Sequence, residues 1–355
     1  MTTLRPDRGG AARRLSLAGL PAVLTLAMVV GCAPETTPVA APSPTPSPTS
    51  SVSTFTPAPE PAATVVAAPL RGTEMPIEAA MRPSLAAKID NVGEARPQFG
   101  LDRADIVYEE LVEGGLTRYV AVWHSDVPDE VGPIRSIRPM DPDIVSPLGG
   151  LIAYSGGRAE FIALMKDAPV HNSVHGGLDD AFMARTGTRP APHNVLLRAT
   201  DLVSAYAHLN PPKPQFAYSP SGWAPVFGRP STGLDLQFSD VSARSWRWDA
   251  AAGAYLRAQD GRADETADGD PVTATNVVVL RVGIDTRYGD VPKTVLVGEG
   301  RGSVSTGGSA MEITWQKDDR DSPIVLRNDA GSEVKLAPGS TWVELVPTAG
   351  SATVR

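Results

Sequence analysis

The chain has 355 residues, a length that suggests two domains and leaves ample chain for a hydrophobic core. Its 32 basic and 40 acidic residues give a formal net charge of −8, which argues against general nucleic-acid binding, since that requires a basic surface. A hydrophobic content of 42% excludes a wholly disordered chain. The single cysteine excludes an internal disulfide and any zinc site built from several cysteines.

The first 31 residues have the pattern of an export signal. An almost purely apolar stretch covers residues 15–30, which is short for a membrane-spanning helix, since such a helix needs about 20 residues. It ends in Val29-Val30-Gly31-Cys32, a tetrapeptide that resembles the lipobox of bacterial lipoproteins. The positive charges expected before the apolar stretch are those of Arg5, Arg8, Arg13 and Arg14.

In proteins with a lipobox, the chain is cleaved just before the cysteine, whose thiol receives a diacylglyceryl group. The motif predicts cleavage between Gly31 and Cys32, diacylglycerol and palmitate on Cys32, and a protein held by membrane lipid on the extracytoplasmic face of the cell membrane. The alternatives are a secretory signal with an unmodified, buried cysteine, or an uncleaved anchor. Cleavage would remove four arginines and one aspartate and leave a net charge of −11. The Arg13-Arg14 pair leaves the general and the twin-arginine export routes both open.

Residues 32–70 begin at the lipidated cysteine and predict a disordered tether rich in Pro, Ser, Thr and Ala. The segment lacks hydrophobic periodicity and has one aromatic residue, Phe55, so burial cannot offset the entropy of ordering it. At about 3 Å per residue where extended, it would hold the folded part up to ~100 Å from the membrane. The pattern indicates that the working part is displayed outward.

Beyond the tether we predict an α+β protein. Short β-branched and aromatic runs separated by turn clusters fill the C-terminal part, whereas the N-terminal part mixes strands with two segments of helical spacing. The predicted parts are an N-terminal mixed α/β domain with a central β-hairpin (71–215), an interdomain linker (216–234) and a mainly antiparallel β domain (235–350).

The central hairpin covers residues 105–123 and turns at Gly114-Gly115, a pair able to adopt positive φ. This turn predicts Glu109 opposite Val120 and two largely apolar faces, so the hairpin is expected to be covered on both sides. One face would carry Val107, Glu109, Leu111, Arg118, Val120 and Val122. The other would carry Ile106, Tyr108, Glu110, Val112, Tyr119 and Trp123.

The hairpin supplies a candidate carboxylate, Glu110, and a candidate cation, Arg118. We expect Glu110 beside Tyr119 and Trp123, where it either serves as a catalytic acid or base or forms a structural ion pair, the more common role. Glu109 points to the opposite face and cannot form a catalytic pair with Glu110. It is expected diagonal to Arg118, with which it would pair.

A loop bounded by two prolines carries Arg135 and Arg138. Guanidinium groups suit bidentate binding of carboxylate or phosphate, so two of them in one restrained loop predict an anion site. The alternative is that they pair with the protein's own carboxylates, Glu109, Glu110 or Asp141.

His193 and Asn194 follow Pro192 at the start of a predicted strand, a place where active-site residues often lie. His193 would act as a base and Asn194 as a donor to developing negative charge, or both would hydrogen-bond the loop backbone. His171 and His175 are four residues apart, but the glycines that follow disfavour a helix, so a zinc pair is not expected.

Common catalytic signatures are absent from the sequence, which has no Gly-x-Ser-x-Gly elbow, no Walker loop and no His-Glu-x-x-His motif. With Cys32 lipidated, no thiol nucleophile remains. We therefore predict no metal site and no cofactor, and the sequence identifies no catalytic residue.

Four strings occur in a fixed order: Ala95-Arg-Pro-Gln, residues 104–118, residues 131–138 and Ala191-Pro-His-Asn194. Together with Asn276-Val-Val-Val and residues 336–344, they resemble the YerB-like bacterial lipoproteins, a family with N- and C-terminal domains of unknown function (DUF3048). The resemblance covers essentially everything after the tether. It implies a membrane-anchored envelope protein with two folded parts, and it brings no reaction, ligand or catalytic residue.

Two functions fit these observations. The first is a non-enzymatic lipoprotein that binds an anionic wall polymer or an envelope protein through a cleft formed by Glu110, Arg118, Arg135, Arg138, His193 and Asn194. The second is a cell-wall hydrolase or transferase that uses Glu110, His193 and Asn194. The absence of a catalytic signature favours binding, and the question of an enzyme stays open.

Overall fold

Residues 64–355, the part of the chain that the computed structural model describes, fold mainly into β-strands. The predicted export signal, the acylation at Cys32 and the tether up to residue 63 lie outside this range. The strands are β1 (Val65–Ala67), β2 (Glu74–Pro76), β3 (Leu85–Asp90), β4 (Ile106–Leu111), β5 (Thr117–Trp123), β6 (Glu130–Val131), β7 (Leu151–Tyr154), β8 (His171–Val174), β9 (Met183–Arg185), β10 (Val195–Arg198), β11 (Arg229–Pro230), β12 (Gly233–Ser239), β13 (Ser242–Asp249), β14 (Ala254–Gln259), β15 (Arg262–Ala263), β16 (Thr273–Ala274), β17 (Asn276–Tyr288), β18 (Val291–Val295), β19 (Gly298–Thr306), β20 (Ser309–Lys317), β21 (Val325–Arg327), β22 (Thr341–Pro347) and β23 (Ser351–Val354).

Helices are few and short in this part of the chain. None of those in residues 64–355 has the length and apolar character needed to cross a bilayer. They are α1 (Ile77–Ala80), α2 (Asp141–Val145), α3 (Ala159–Lys166) and α4 (Ala199–Ala205).

The strands form one large sheet and three smaller ones. The large sheet has twelve strands in the order β11-β20-β19-β17-β22-β4-β5-β3-β7-β8, with β18 beside β17 and β21 beside β20. A second sheet has six strands in the order β15-β14-β13-β12-β23, with β16 beside β14. Strands β6, β10 and β9 form a three-stranded sheet, and β1 pairs with β2.

The large sheet joins strands from the two ends of the described chain. Strand β22 lies between β17 and β4 and pairs in parallel with both, so that Thr341 lies opposite Asn276 on one side and opposite Ile106 on the other. Strands predicted for the N-terminal and the C-terminal domain therefore belong to one continuous sheet. The domain boundaries given above stay predictions.

The predicted hairpin is β4–β5, but the predicted register is wrong by one residue. Glu109 lies opposite Tyr119 rather than Val120. The cause is the turn, because both Gly114 and Gly115 have positive φ (68° and 73°) inside a short 3₁₀ segment, which makes the connection longer than a two-residue turn.

A one-residue shift in register exchanges the faces of one strand relative to its partner. Arg118 lies opposite Glu110 and shares its face, whereas Tyr119 and Trp123 share the face of Glu109. The predictions that Glu110 lies beside the two aromatic residues, and that Glu109 pairs with Arg118, are therefore wrong.

Both faces of the large sheet are covered, as predicted for a hairpin with two apolar faces. One face packs against α2 and α3 through residues such as Val145 and Phe161. The other packs against the six-stranded sheet and α4, through residues such as Trp246, Tyr255 and Leu202. Strands β4 and β5 lie in the middle of these layers, so polar residues on them must find partners inside the protein.

Candidate functional site

Strand β3 carries two polar residues, Lys88 and Asp90, and both are buried. They are two positions apart and point to the same face of the sheet. Asp90 lies opposite Arg118 on β5, which in turn lies opposite Glu110 on β4. The loop before α2 runs along the end of β3, where Arg135 N donates a hydrogen bond to Lys88 O (2.8 Å). The fold thus brings three distant chain segments together.

Asp90 is the centre of a group of five residues, Asp90, Arg118, Arg135, Arg138 and His193, which we call the Asp90 cluster. Asp90 Oδ2 accepts a hydrogen bond from His193 Nδ1 (2.7 Å) and lies 3.1 Å from Arg135 Nε. Asp90 Oδ1 lies 4.0 Å from Arg118 Nε. The Asp90 side chain is 1% exposed, against 12% for Arg118, 19% for His193 and 21% for Arg135. A buried anion therefore lies among partly exposed basic side chains.

Several arginine donors of the Asp90 cluster have no protein partner. Within residues 64–355, Arg135 Nε is buried 3.1 Å from Asp90 Oδ2 without making a hydrogen bond, and neither Nη of Arg135 donates one. Arg118 donates one, from Nη1 to Ser136 O (2.9 Å). Arg138 is more constrained, because Nε donates to Glu113 Oε2 (2.7 Å) and Nη1 donates to two carbonyls of its own loop. Arg138 therefore shapes the loop, whereas Arg135 and Arg118 keep donors available.

The guanidinium groups of the Asp90 cluster lie close enough to repel one another. The pKa of Arg118 is lowered to about 10 by burial and by the positive charges of Arg138 and Arg135, while Asp90 acts in the opposite direction. Crowded like charges, available donors and incomplete burial describe a site that a bound anion would stabilise.

Next to the Asp90 cluster, Lys88, Glu110 and Asp141 form a fully buried group, the Lys88 triad. Lys88 Nζ donates to Asp141 Oδ1 (2.8 Å) and pairs with Glu110 Oε1, whereas Glu110 Oε2 has no partner within residues 64–355. Burial and the nearby Asp141 carboxylate raise the pKa of Glu110 to about 8 against the effect of Lys88. Asp141 also accepts a hydrogen bond from Arg138 N (2.6 Å), so the triad fixes the arginine-bearing loop.

The opposite face of the sheet carries a second ionic group, the Glu109 cluster (Glu109, Thr117, Arg244, Arg257 and Asp264). Glu109 Oε1 accepts hydrogen bonds from Arg244 Nε (2.7 Å) and Thr117 Oγ1 (2.6 Å), and Glu109 Oε2 pairs with Arg257. Arg257 also pairs with Asp264. All five residues are buried, so this cluster joins the large sheet to the six-stranded sheet from the inside.

The comparisons with known proteins agree with this architecture. Residues 70–211 match the family described as "Protein of unknown function (DUF3048) N-terminal domain", and residues 234–343 match the corresponding C-terminal domain. The chain belongs to the DUF3048 family. The resemblance predicted from the sequence motifs is confirmed.

One relative of this DUF3048 chain is a protein of Bacillus subtilis (strain 168) named "Putative lipoprotein YerB". The two are 25% identical over 295 residues, which cover 81% of this chain and 88% of the relative. A crystal structure of the YerB protein from Bacillus subtilis aligns with a TM-score of 0.71 at 23% identity and covers 81% of this chain and 99% of that one. The structural likeness shows that the two chains share a fold.

The candidate residues within the DUF3048 motifs converge only in part. Arg118, Arg135 and His193 meet at Asp90, whereas Asn194 holds its own loop. The Asn194 amide oxygen accepts a hydrogen bond from Arg185 Nη1 (2.7 Å), and its nitrogen donates to the carbonyl oxygens of two residues in the same loop.

The two other histidines singled out in the sequence bind separate aspartates. His171 Nε2 lies 2.8 Å from Asp179 Oδ2, and His175 Nδ1 lies 2.8 Å from Asp180 Oδ1. Within residues 64–355, no group of three or more His, Cys, Asp or Glu side chains is arranged to hold a metal ion.

Sequence reasoning missed Asp90, the residue at the centre of the Asp90 cluster. The signal was present, because the run Leu85-Ala-Ala-Lys-Ile-Asp90 places charged residues at alternate positions of an otherwise apolar strand. A buried strand does not carry such residues without partners, so this alternation points to an ionic site on one face.

Proposed function

We propose that the protein is a lipid-anchored lipoprotein on the extracytoplasmic face of the cell membrane, and that its Asp90 cluster binds an anionic cell-wall polymer. The lipobox-like end of the export signal and the name of the Bacillus subtilis relative support the anchor. The available guanidinium donors of Arg135 and Arg118 support the anion site.

The binding proposal rests on one observation, the exposure and hydrogen bonding of the Arg135 guanidinium. This guanidinium is partly exposed and faces a carboxylate that already accepts a hydrogen bond from His193 and lies 4.0 Å from Arg118 Nε. An arginine that served only as a structural partner would use its planar donors on that carboxylate. Here neither Nη of Arg135 donates a hydrogen bond within residues 64–355, so both stay available for a phosphate or carboxylate group from outside, while the buried Nε faces Asp90.

The net negative charge of the chain limits where an anionic polymer can bind. After signal cleavage the chain would carry a net charge of −11, which opposes the approach of an anionic polymer to the protein as a whole. Attraction is restricted to local groups of arginines such as the Asp90 cluster. Binding is therefore expected to weaken as salt concentration rises.

Sedimentation with insoluble cell walls tests the proposal. The chain carrying both Arg118→Ala and Arg135→Ala should bind at least about tenfold more weakly than the parent, since two charge-assisted contacts are lost. Walls stripped of phosphate-containing polymers with hydrofluoric acid should bind the parent weakly, which identifies the polymer as the ligand.

Arg103→Ala is the matched control, because Arg103 is an exposed arginine that pairs with Asp126 on the surface, beyond the other end of β5 from Arg118. This variant should bind walls like the parent. Equal binding by the double variant and the parent would refute the proposal that the Asp90 cluster binds the polymer. Binding that depends on the two arginines but survives the removal of phosphate polymers would point to an envelope protein instead.

The anchor has its own test. Cys32→Ser and treatment with the signal-peptidase inhibitor globomycin should each change the processing of the chain, its mass and its partition into detergent. If all three stay unchanged, the chain is not processed as a lipoprotein and its location must be explained otherwise.

An enzyme acting on the cell wall is the second candidate, and the contact between His193 and Asp90 favours it. A carboxylate that accepts a hydrogen bond from Nδ1 leaves Nε2 available as a base, as in hydrolases. Incubation with peptidoglycan followed by mass spectrometry should reveal a product that His193→Ala abolishes, and Glu110→Gln tests the other catalytic candidate. No product over a range of pH and metals would reject this function.

A further inference from the structure

Two of the most exposed apolar side chains within residues 64–355 are Trp223 and Val226, which are 72% and 91% exposed. Both lie on a loop, residues 219–228, that contains no charged residue. Phe227 fixes this loop, because its side chain is buried and its backbone N donates to Ser309 Oγ (3.1 Å). A tryptophan held outward on an uncharged loop suits a membrane interface, since its ring is apolar while its N–H reaches water.

This loop lies beside the point where the chain enters the described structure. A groove of about 700 Å³ is lined by Val65 and Val66 of β1, by Phe216 and Tyr218, and by the first residues of the loop. Both valines are exposed. Glu74 and Lys335 also line this mainly apolar groove. Because Thr64 directly precedes β1, the groove and the loop border the chain's entry.

We propose that Val65, Val66, Trp223 and Val226 form a patch, the entry patch, that docks onto the lipid bilayer to which Cys32 is attached. This inference rests on the anchoring part of the proposed function. The chain between Cys32 and Thr64 spans at most about 110 Å when fully extended, so the anchor keeps the domain near lipid. The described fold begins at Thr64, so the surface around it is the part that lies nearest to Cys32 along the chain.

A lipid surface suits the entry patch better than a shaped protein partner does. Lipid tails accept apolar side chains without requiring shape complementarity, and the loop carries no charge that would have to be removed from water. The attachment at Cys32 and the patch act as two linked binding sites, so a weak affinity of the patch suffices once the chain is anchored.

The test uses the mature chain, residues 32–355, with Cys32→Ser and without acyl groups, mixed with neutral phosphatidylcholine vesicles whose tails carry bromine. Trp223 is the exposed tryptophan among the six in the sequence, and the other five are buried or half-buried. Tryptophan emission should therefore shift to the blue and be quenched as lipid is added. Because the double variant Trp223→Ser, Val226→Ser lacks this reporter, its partition is measured by co-sedimentation with the vesicles, alongside the parent. It should partition about tenfold more weakly or worse.

Leu178→Ser is the matched control, because Leu178 is 70% exposed on the loop after β8, away from the entry patch. It should leave vesicle partition unchanged. The proposal is overturned if the parent does not partition at millimolar lipid, or if the double variant partitions as well as the parent. A blue shift that grows with protein concentration in the absence of lipid would overturn it in favour of a second copy of the chain.

The assay separates this proposal from the proposed function. Neutral lipid and an unacylated chain make the result independent of both acylation and the Asp90 cluster, so Arg135→Ala should partition like the parent. Failed partition together with acylation of Cys32 overturns the entry patch alone. Partition of the unacylated chain together with an unmodified Cys32 in cells supports lipid contact by the patch and overturns the anchor.

Discussion

Glu109 and Glu110 are consecutive residues of one buried strand, yet their surroundings differ completely. Burial alone would raise both pKa values. For Glu109 the charges of Arg244 and Arg257 outweigh burial and lower the pKa to about 2. For Glu110 burial and Asp141 outweigh Lys88 and raise the pKa to about 8. The face of the strand, and not the residue type, decides how the carboxyl group behaves.

The same contrast separates the two ionic clusters on these faces. In the Glu109 cluster each charged group has an opposite partner and is buried, which is the arrangement of an internal junction. In the Asp90 cluster three guanidinium groups share few carboxylates and stay partly exposed. A closed cluster, in which every charge is buried and paired, joins two sheets. An open cluster, with more guanidinium groups than carboxylates and partial exposure, keeps positive charge that a ligand can pair with.

Glu109→Ala should give the largest loss of stability. It leaves Arg244 and Arg257 buried without their shared carboxylate, a change expected to cost about 3–5 kcal/mol. Urea unfolding of the mature chain measures it. Asp260→Asn is the matched control, since Asp260 pairs with the same Arg244 but its side chain is 44% exposed, and asparagine tolerates the positive φ (51°) of this position. It should cost at most about 1 kcal/mol. A loss below about 1 kcal/mol for Glu109→Ala would contradict the description of a closed junction.

The pH dependence of stability sharpens the contrast between the two glutamates. A carboxyl group with a raised pKa in the folded state binds its proton more tightly there than in the unfolded chain. Its contribution is complete below the unfolded pKa, about 4.5, and is lost as pH rises through about 8. A unit of pKa shift corresponds to about 1.4 kcal/mol, so the loss is on the order of a few kcal/mol.

Glu110→Gln cannot ionise and should therefore flatten the fall in unfolding free energy between about pH 4.5 and pH 8. Glu344 also has a pKa raised to about 8, so part of the slope should remain until Glu344→Gln is added. The contribution of Glu109 has the opposite sign and is lost only as pH falls from about 4.5 through about 2. An unchanged slope in Glu110→Gln would show that this carboxyl group is ionised in the folded protein at every pH tested.

The sequence predicts the hairpin, most C-terminal strands and the arginine-bearing loop, because these depend on local pattern and turn residues. It does not predict the register of the hairpin, since two positive-φ glycines allow more than one turn length. It also cannot show that β22 inserts between β17 and β4, because parallel pairing between strands far apart in the chain leaves no local signal.

The site residues divide in the same way, into those that a local pattern reveals and those that depend on long-range contacts. The sequence predicts Arg118, Arg135 and His193 as site residues because arginine and histidine side chains in loops and hairpins can bind anions or transfer protons. Asp90 is missed because its partners lie in three other segments, so its role depends on long-range contacts. Lys88 is missed for the same reason.

Asp90→Asn should have an intermediate effect. It removes the anion that His193, Arg118 and Arg135 share, but these three side chains are partly exposed and water can replace some of the lost interactions. We expect a loss of about 1–3 kcal/mol in urea unfolding. Binding to cell walls should be retained or strengthened, since the cluster becomes more positive. A loss as large as that of Glu109→Ala would place Asp90 in a closed structural network instead.

Arg135→Ala should have the smallest effect on stability and therefore separates the two kinds of cluster most clearly. Its guanidinium donates no hydrogen bond within residues 64–355, and its ion pair with Asp90 is partly exposed, so the expected loss is below about 1 kcal/mol. Arg138→Ala is the comparison, because Arg138 donates to Glu113 and to carbonyls of its loop and should cost more. If Arg135→Ala destabilises the protein as much as Arg138→Ala, Arg135 is a structural partner, and the main argument for an anion site on this face is lost.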